Sequence, residues 1–347
     1  MRETTLLIPQ QNRIVELDML RGFALLGIFL VNIFNFFQTA GVSSELLPNF
    51  EWVDILLTGK FYAIFSLLFG VGSAIFLRRA KEKGKPYRYY IRRMIGLALI
   101  GLLHAMILGG GDVLVSYALV GMVLLALHKI PANKLFIITF TLHVLGIMVN
   151  ILSYDWLYGG KPDMPLILDV SLTVTALTSF LIYFVEGFTL MNMEVLEKLM
   201  ERPALHKRLV IVLGTLSVGT IIAQFLVTAH KPGHILLIVS QPIIMVFYIL
   251  LLLAFAKTSI GNTLLKPLQS YGKMAMSNYL GQTAVGIFIL PLFVNHYQPG
   301  ILLFGVCIFT WVLQIVISNV WLSRFAYGPV EWIWRCFTYG RLFSMRK

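Results

Sequence analysis

Long apolar segments separated by short polar connections recur along the whole sequence. Most are about 17–25 residues long, which is enough for an α-helix to cross the roughly 30 Å hydrocarbon core of a bilayer. Ten such segments lie near residues 19–38, 55–77, 91–110, 113–128, 132–152, 166–190, 209–229, 235–256, 274–294 and 300–323. The pattern predicts an all-α polytopic membrane protein of about ten transmembrane helices. It forms one integral-membrane domain over residues 1–347, with a tail over 324–347.

The positions of the basic residues predict how these helices are oriented. If the N-terminus lies in the cytoplasm, 25 of the 28 Lys and Arg residues fall in cytoplasmic segments. The basic residues that remain outside are Lys60, Lys161 and Lys231. Cytoplasmic connections of membrane proteins are enriched in Lys and Arg, so both termini are predicted to be cytoplasmic.

Composition supports the membrane assignment and excludes other classes. Hydrophobic residues make up 58% of the chain and charged residues 13%, whereas a soluble domain carries about a quarter charged residues. The net charge of +12 comes from connections between apolar segments. We therefore expect a lipid bilayer as the partner and no nucleic acid. The two cysteines, and His230 and His234 without a third ligand, predict no disulfide framework and no metal site.

Polar residues inside the apolar segments are candidates for catalysis, because they are costly in lipid unless they face protein or water. Asn32 lies in the outer half of the first predicted helix. His104 lies at a similar depth in the third, and Asp112 and Tyr117 begin the fourth. A histidine oriented by a carboxylate is the minimal general-base arrangement. The alternative for Asn32 is an interhelical hydrogen bond, and the alternative for His104 is a packing residue whose polar atoms are satisfied within the bundle.

Three further amides are candidates for a substrate pathway. Asn35 follows Asn32 by three residues on nearly the same face, and Asn278 and Gln282 are four residues apart on the ninth segment. Structural hydrogen bonding between helices is the alternative for this pair. Glu186 is expected to extend to the interface or to pair with an arginine.

Basic residues at the predicted cytoplasmic end are candidates for binding a phosphate-bearing molecule. They are Arg21, Arg92, Arg93 and Lys273. The alternative is that such residues are topology anchors that contact anionic lipid. Beyond the last span, the sequence predicts a tail helix that starts at Pro329, with Glu331 and Arg335 as an i,i+4 pair. The tryptophans of this helix suit the membrane interface, so it is interpreted as an interfacial anchor.

Several of these residues belong to longer motifs. The motifs are Asp18-x-x-Arg21-Gly22 with Val31-Asn32, Arg92-Arg93 followed by Gly101-x-x-His104, Asp112-x-Leu114-x-x-Tyr117, and Tyr327-Gly328-Pro329-x-Glu331. Together they resemble the YeiB-like bacterial membrane proteins, a family without an assigned biochemical function. The resemblance implies a multi-pass protein of the bacterial inner membrane.

The opening motif is also similar to that of transmembrane acyltransferases of the heparan-α-glucosaminide N-acetyltransferase type. This resemblance implies a core of roughly ten helices that brings acyl-CoA from the cytoplasm to an acceptor on the far side. Asn32 matches the active-site asparagine of that group. The histidine that the group carries eleven residues later is Ser43 here, so His104 would have to supply the base.

Two functional hypotheses follow. In the first, the protein transfers an acyl group from acyl-CoA, a co-substrate rather than a tightly bound cofactor, to a small-molecule or envelope acceptor. In the second, the buried polar groups form the midplane site of a small-molecule transporter or exporter. A sensor subunit without catalytic activity is a third alternative, although no partner domain is recognisable.

Overall fold

The computed structural model describes residues 14–42, 51–82, 84, 87–108, 113–161, 163–227 and 229–347. Within these ranges the chain forms helices and one isolated backbone bridge, between Phe325 and Arg346, and no β-sheet. The helices are α1 Val15–Thr39, α2 Glu51–Leu56, α3 Lys60–Glu82, α4 Arg88–Leu108, α5 Val113–Leu127, α6 Ala132–Leu152, α7 Tyr154–Leu157, α8 Leu166–Asn192, α9 Val195–Met200, α10 Pro203–Leu226, α11 His230–Ala256, α12 Ser259–Lys273, α13 Ala275–Ala284, α14 Pro299–Arg324 and α15 Pro329–Tyr339.

The helix lengths confirm an all-α membrane protein. In the described residues seven helical segments are long and apolar enough to cross a bilayer: α1, α2 with α3, α4, α6, α10, α11 and α14. An eighth is α8, which bends by 48° between Thr175 and Phe180. The shorter apolar α5 and the segment that begins with α13 occupy the remaining two predicted segments. The cytoplasmic placement of the termini stays a prediction.

The ninth predicted helix is less regular than its hydropathy suggests. Its α-helical part ends at Ala284 and is followed by a π-helical turn, Val285–Ile289, and a 3-10 turn, Leu290–Leu292. Pro291 lies in that last turn, where its missing N–H removes one helical hydrogen bond. It favours the 3-10 turn there, whereas Pro242 and Pro267 lie inside α11 and α12.

One helix, α12, lies in a stretch that the hydropathy pattern treats as a connection. It begins after Thr258, whose side chain accepts a hydrogen bond from the Gly261 N–H at 2.9 Å and so caps the helix. Its apolar face, including Leu268 and Tyr271, packs against Met19 and Leu25 of α1. The helix is amphipathic and only 15 residues long, which is why a search for spans misses it.

The centre of the bundle is formed by α1, α3, α4, α5 and α8, whose buried apolar residues form one core. Helices α3 and α8 approach each other through two glycines. A Cβ at Gly70 would lie 1.9 Å from the Phe184 carbonyl oxygen, and a Cβ at Gly187 would lie 2.0 Å from the Leu67 carbonyl oxygen. Such contact between backbones is how membrane helices gain packing energy. The same helix, α3, also lines the cavity described next.

Candidate functional site

A cavity of about 290 Å³ lies between α1, α3, α4, α5, α12, α13 and the tail helix α15. Along α3 its wall runs from Tyr62 to Gly72, ten residues or roughly 15 Å at the rise of an α-helix. Its "basic end" is defined by Arg21, Arg93, Lys273 and Arg335. Its "aromatic end" is defined by Tyr62, Phe65, Phe69 and Tyr117. One hollow thus joins cationic groups to an apolar, tyrosine-bearing interior.

Close packing of α12 on α1 places Lys273 beside Arg21 at the basic end. A Cβ at Gly272 would lie 1.9 Å from the Asp18 carbonyl oxygen, so a residue larger than glycine does not fit there. On α1, Arg21 Nη1 donates a hydrogen bond to Asp18 Oδ1 at 2.8 Å. The glycine therefore determines the position of one cation, and the carboxylate orients the other.

Aromatic rings hold the other two cations of the basic end. The Arg93 guanidinium carbon lies 4.0 Å from the ring centroid of Trp334 and 5.2 Å from that of Phe76. The Arg335 guanidinium lies over Tyr327, Phe343 and Tyr339, at 4.9, 4.7 and 5.3 Å. Stacked guanidinium groups keep their charge and leave their N–H edges for ligands.

Arg92 is not on the cavity wall, although the sequence groups it with the other phosphate-binding candidates. Its guanidinium lies over the ring of Phe337, 5.7 Å from the centroid. Adjacent residues of a helix point in different directions, and here Arg93 takes the cavity-facing position. Three of the four predicted basic residues, Arg21, Arg93 and Lys273, share the cavity.

Glu331, the carboxylate on the cavity wall, anchors the tail helix. Instead of pairing with Arg335, its Oε1 accepts hydrogen bonds from the N–H groups of Met276 and Ser277 at 2.8 and 3.1 Å. Its Oε2 accepts one from Ser277 Oγ at 2.5 Å. Burial raises the pKa of this carboxyl group above its usual value. The side chain therefore joins α15 to the N-terminus of α13, where free N–H groups favour an acceptor.

At the aromatic end, two tyrosine hydroxyl groups have polar partners. Tyr117 is 1% exposed, and its hydroxyl lies 2.7 Å from Ser66 Oγ. Tyr62 donates a hydrogen bond to Asn32 Oδ1. Tyr62 and Tyr117 line the cavity, whereas Asn32 lies behind Tyr62. Of the predicted catalytic residues, Tyr117 is on the wall and Asn32 is one side chain away.

His104 also lies one side chain away from the cavity. It occupies the same face of α4 as Arg93 and Leu97, two turns further along, and is 7% exposed. The centroid of its ring is 5.5 Å from that of Tyr279, which lines the cavity. Asp112, the predicted orienting carboxylate, and Ser43 lie outside the described residues.

Two of the three predicted pathway residues, Asn278 and Gln282, belong to a hydrogen-bond network next to the cavity and not to its wall. Asn278 Nδ2 donates to the Tyr271 carbonyl oxygen at 2.9 Å and to Ser318 Oγ at 3.0 Å, while Gln282 Nε2 donates to the Tyr271 hydroxyl at 2.6 Å. This geometry corresponds to the structural alternative for the pair. Asn35 is exposed on α1, where its carbonyl oxygen accepts a hydrogen bond from Thr39 Oγ1.

Two other features bear on candidate chemistry. Glu186 pairs with His143, with Oε1 and Nδ1 3.0 Å apart, and not with an arginine. The two residues are 43 positions apart on different helices, so no local spacing in the sequence indicates the pair.

Within the described ranges, no cluster of three or more His, Cys, Asp or Glu side chains could hold a metal ion.

Comparison with known proteins places the chain among bacterial relatives. Residues 190–341 match the family described as "Protein of unknown function (DUF418)". The chain is 30% identical over 365 residues to the "Uncharacterized 39.9 kDa protein in amylase 3'region" of Bacillus acidopullulyticus, with 97% of each chain covered. The chain belongs to this YeiB-like DUF418 family.

Two further members of this YeiB-like family show the same full-length similarity. The protein YxaH of Bacillus subtilis (strain 168) is 29% identical, with 94% of each chain covered. The protein YeiB of Escherichia coli (strain K12) is 27% identical, over 94% of this chain and 96% of that relative. No solved structure matches the chain. The family is established by sequence, and its biochemical function is unassigned.

Proposed function

We propose that this protein is an acyltransferase of the bacterial inner membrane. It takes an acyl group from acyl-CoA at the cytoplasmic side and passes it to a small-molecule or envelope acceptor. The observation that supports this is the single cavity that joins the basic end to the aromatic end. An acyl-CoA has the matching form, since it carries phosphates at one end and an uncharged thioester at the other.

The donor would lie along the axis of the cavity. Its phosphates would contact Arg21, Arg93 and Lys273, and its thioester would lie beside Tyr62 and Tyr117. At about 290 Å³ the cavity falls just below the roughly 300–1,000 Å³ range of ligand sites. We therefore place only the pantetheine and acyl portion inside, with the nucleotide at the opening.

The chemistry is a single acyl transfer. The acceptor oxygen or nitrogen forms a bond to the thioester carbonyl carbon, the carbon–sulfur bond breaks, and the CoA sulfur leaves as a thiol after it receives the acceptor's proton. The hydroxyl group of Tyr117 would donate to the developing oxyanion while it accepts a hydrogen bond from Ser66 Oγ. Asn32 would position Tyr62. His104 would carry the proton once the Tyr279 ring turns aside, with Asp112 as its orienting carboxylate.

Binding and turnover test this proposal separately. Detergent-purified protein should retain or bind a CoA thioester in native mass spectrometry, and proteoliposomes should release CoA from acetyl-CoA in the presence of acceptor. His104→Ala should lose about 10²-fold or more in transfer, as expected for a general base, and should still bind acetyl-CoA. The matched control is His296→Ala, in an exposed loop. Full acyl transfer by His104→Ala would refute the assignment of His104 as the general base. Failure of the wild type to bind acetyl-CoA would refute the acyltransferase function.

Transport is the second candidate, and irregular backbone favours it. The change from α12 to α13 at Met274 and the π-helical turn Val285–Ile289 interrupt the helices beside the cavity. Broken helices of this kind form the substrate sites of many transporters. Accumulation of a solute in proteoliposomes without CoA release would favour this function over acyl transfer.

A further inference from the structure

Arg93 and Arg335 of the basic end share two features: a guanidinium group stacked on an aromatic ring, and a buried Nε–H group without an acceptor. The Nε atoms of Arg93 and Arg335 are both buried, and neither has a hydrogen-bond acceptor in the part of the chain that the structure describes. Both guanidinium groups are stacked on aromatic rings and both line the cavity. A buried charged donor without an acceptor is costly, so such a pair indicates that an acceptor is supplied from outside the chain.

The charge around these two arginines is unbalanced. The described wall carries four cationic side chains and one carboxyl group, that of Glu331. The hydrogen bonds of this carboxyl group go to Met276 and Ser277, and burial raises its pKa, which favours the neutral form. Arg21 is paired with Asp18, whereas Arg335 has no carboxylate partner among the described residues and is near enough to Arg93 to repel its charge. An anion bound between them would relieve this repulsion.

We propose that Arg93 and Arg335 form a clamp for a phosphate monoester or diphosphate group, so that the tail helix α15 is part of the ligand site. Guanidinium groups suit this role because their fork of N–H donors matches phosphate oxygens bidentately. Trp334 and Glu331 are the positioning residues. Trp334 orients Arg93 by stacking, and Glu331 fixes the helix that carries Arg335.

The clamp deepens the proposed function, because an acyl-CoA carries both a diphosphate and a phosphate monoester. The same chemistry occurs in the headgroup of a lipid phosphate. These two sources differ in where the rest of the ligand lies, since one is dissolved in the cytoplasm and the other in the bilayer. The test therefore needs a bare phosphate probe as well as one probe for each source.

Binding of inorganic pyrophosphate to the detergent-purified full chain, measured by isothermal titration calorimetry, tests the clamp itself. Arg335→Met should weaken binding about tenfold or more, because a hydrogen bond to a charged group is lost. Arg335→Lys should weaken it about threefold or more, because lysine keeps the charge without the fork. The control Arg341→Met removes a tail arginine that is stacked on Phe343 but lies off the wall, and it should bind as the wild type does.

The clamp is refuted if the wild type does not bind pyrophosphate, or if Arg335→Lys and Arg335→Met bind as tightly as Arg341→Met does. If thermal unfolding shows that Arg335→Met does not fold, the pyrophosphate affinity of Arg335→Lys relative to Arg341→Met decides whether the clamp exists. Acetyl-CoA and nanodiscs that contain phosphatidic acid are then tested as competitors of pyrophosphate. Arg335-dependent binding displaced only by phosphatidic acid would support the clamp and refute acyl-CoA as the donor. Unchanged acyl transfer by Arg335→Met would refute the clamp and leave the transfer function standing.

Discussion

The guanidinium carbon of Arg93 lies 4.0 Å from the centroid of the Trp334 ring, and Trp334 Nε1 donates a hydrogen bond to the Arg93 carbonyl oxygen at 2.7 Å. The two residues are 241 positions apart, yet one side chain contacts both the backbone and the charge of the other. The contact joins α4 to the tail helix α15. The tail is therefore part of the cavity wall and not a separate surface anchor.

Trp334→Phe should weaken both this junction and ligand binding. The lost indole hydrogen bond should lower the free energy of unfolding by about 1 kcal/mol, and the smaller ring should hold Arg93 less firmly. Trp332→Phe is the matched control, because it also loses one indole hydrogen bond, to the Phe343 carbonyl oxygen at 2.8 Å, but lies off the wall. Unfolding experiments should show a similar loss of stability in both variants. Titration with acetyl-CoA should show weaker binding in Trp334→Phe alone. Equal affinities would contradict the prediction.

Gly272→Ala should destabilise the bundle and displace Lys273. The added Cβ would lie 1.9 Å from the Asp18 carbonyl oxygen, so α12 must move away from α1. This overpacking should lower the free energy of unfolding by about 1–3 kcal/mol or more. Gly305→Ala, where an added Cβ meets no atom within 4 Å, should be neutral or slightly stabilising. Thermal unfolding of the two variants in one detergent compares them. Equal unfolding temperatures would mean that the close approach at Gly272 is not required.

Tyr117 and Ser66 should behave as a coupled pair. Tyr117→Phe leaves the buried Ser66 hydroxyl without its partner and should lower the free energy of unfolding by about 1–3 kcal/mol. Ser66→Ala leaves the Tyr117 hydroxyl without its partner and should lower it by a similar amount. The double variant removes both hydroxyl groups, so it should lower the free energy of unfolding by less than the two single variants do when their effects are added. Chemical unfolding of the four proteins measures this coupling. Strict additivity would show that the two hydroxyl groups do not interact.

Glu331 should make stability depend on pH in the opposite direction from a carboxylate whose pKa is lowered by folding. Because burial raises its pKa in the folded protein, the folded state holds this proton more strongly than the unfolded chain does. Its contribution to stability is therefore greatest below the ordinary value of 4.5 and falls as pH rises from there to the raised pKa.

The comparison of wild type with Glu331→Gln isolates this contribution. The difference in unfolding free energy should favour the wild type less as pH rises through that interval. Glu201→Gln, at an exposed position, is the control and should not show the same trend. A difference that grows in favour of the wild type with increasing pH would contradict the assignment.

Hydropathy predicts the long helices well because lipid imposes length and polarity on each one separately. Helix α6, for example, begins and ends where the apolar segment 132–152 does. The amphipathic α12 is not predicted, because it is stabilised by packing against α1 and not by lipid. The break after Ala284 also escapes a hydropathy search, since the segment remains apolar throughout.

The candidate site could be predicted only in part. Residue type and depth indicate Arg21, Arg93, Lys273 and Tyr117, all of which line the cavity. They do not separate Arg93 from Arg92, because the direction of each side chain depends on which face of α4 meets the tail helix. Arg335 is likewise missed as a ligand-binding residue, since in sequence it belongs to a tail helix that resembles an interfacial anchor.

A structure of the full chain determined with acetyl-CoA bound tests the central claim most directly. We expect the phosphates between Arg93 and Arg335 and the thioester carbonyl within hydrogen-bond distance of the Tyr117 hydroxyl. A cavity that stays empty at saturating acetyl-CoA, or a ligand bound elsewhere on the bundle, would contradict the claim that this hollow is an acyl-CoA site.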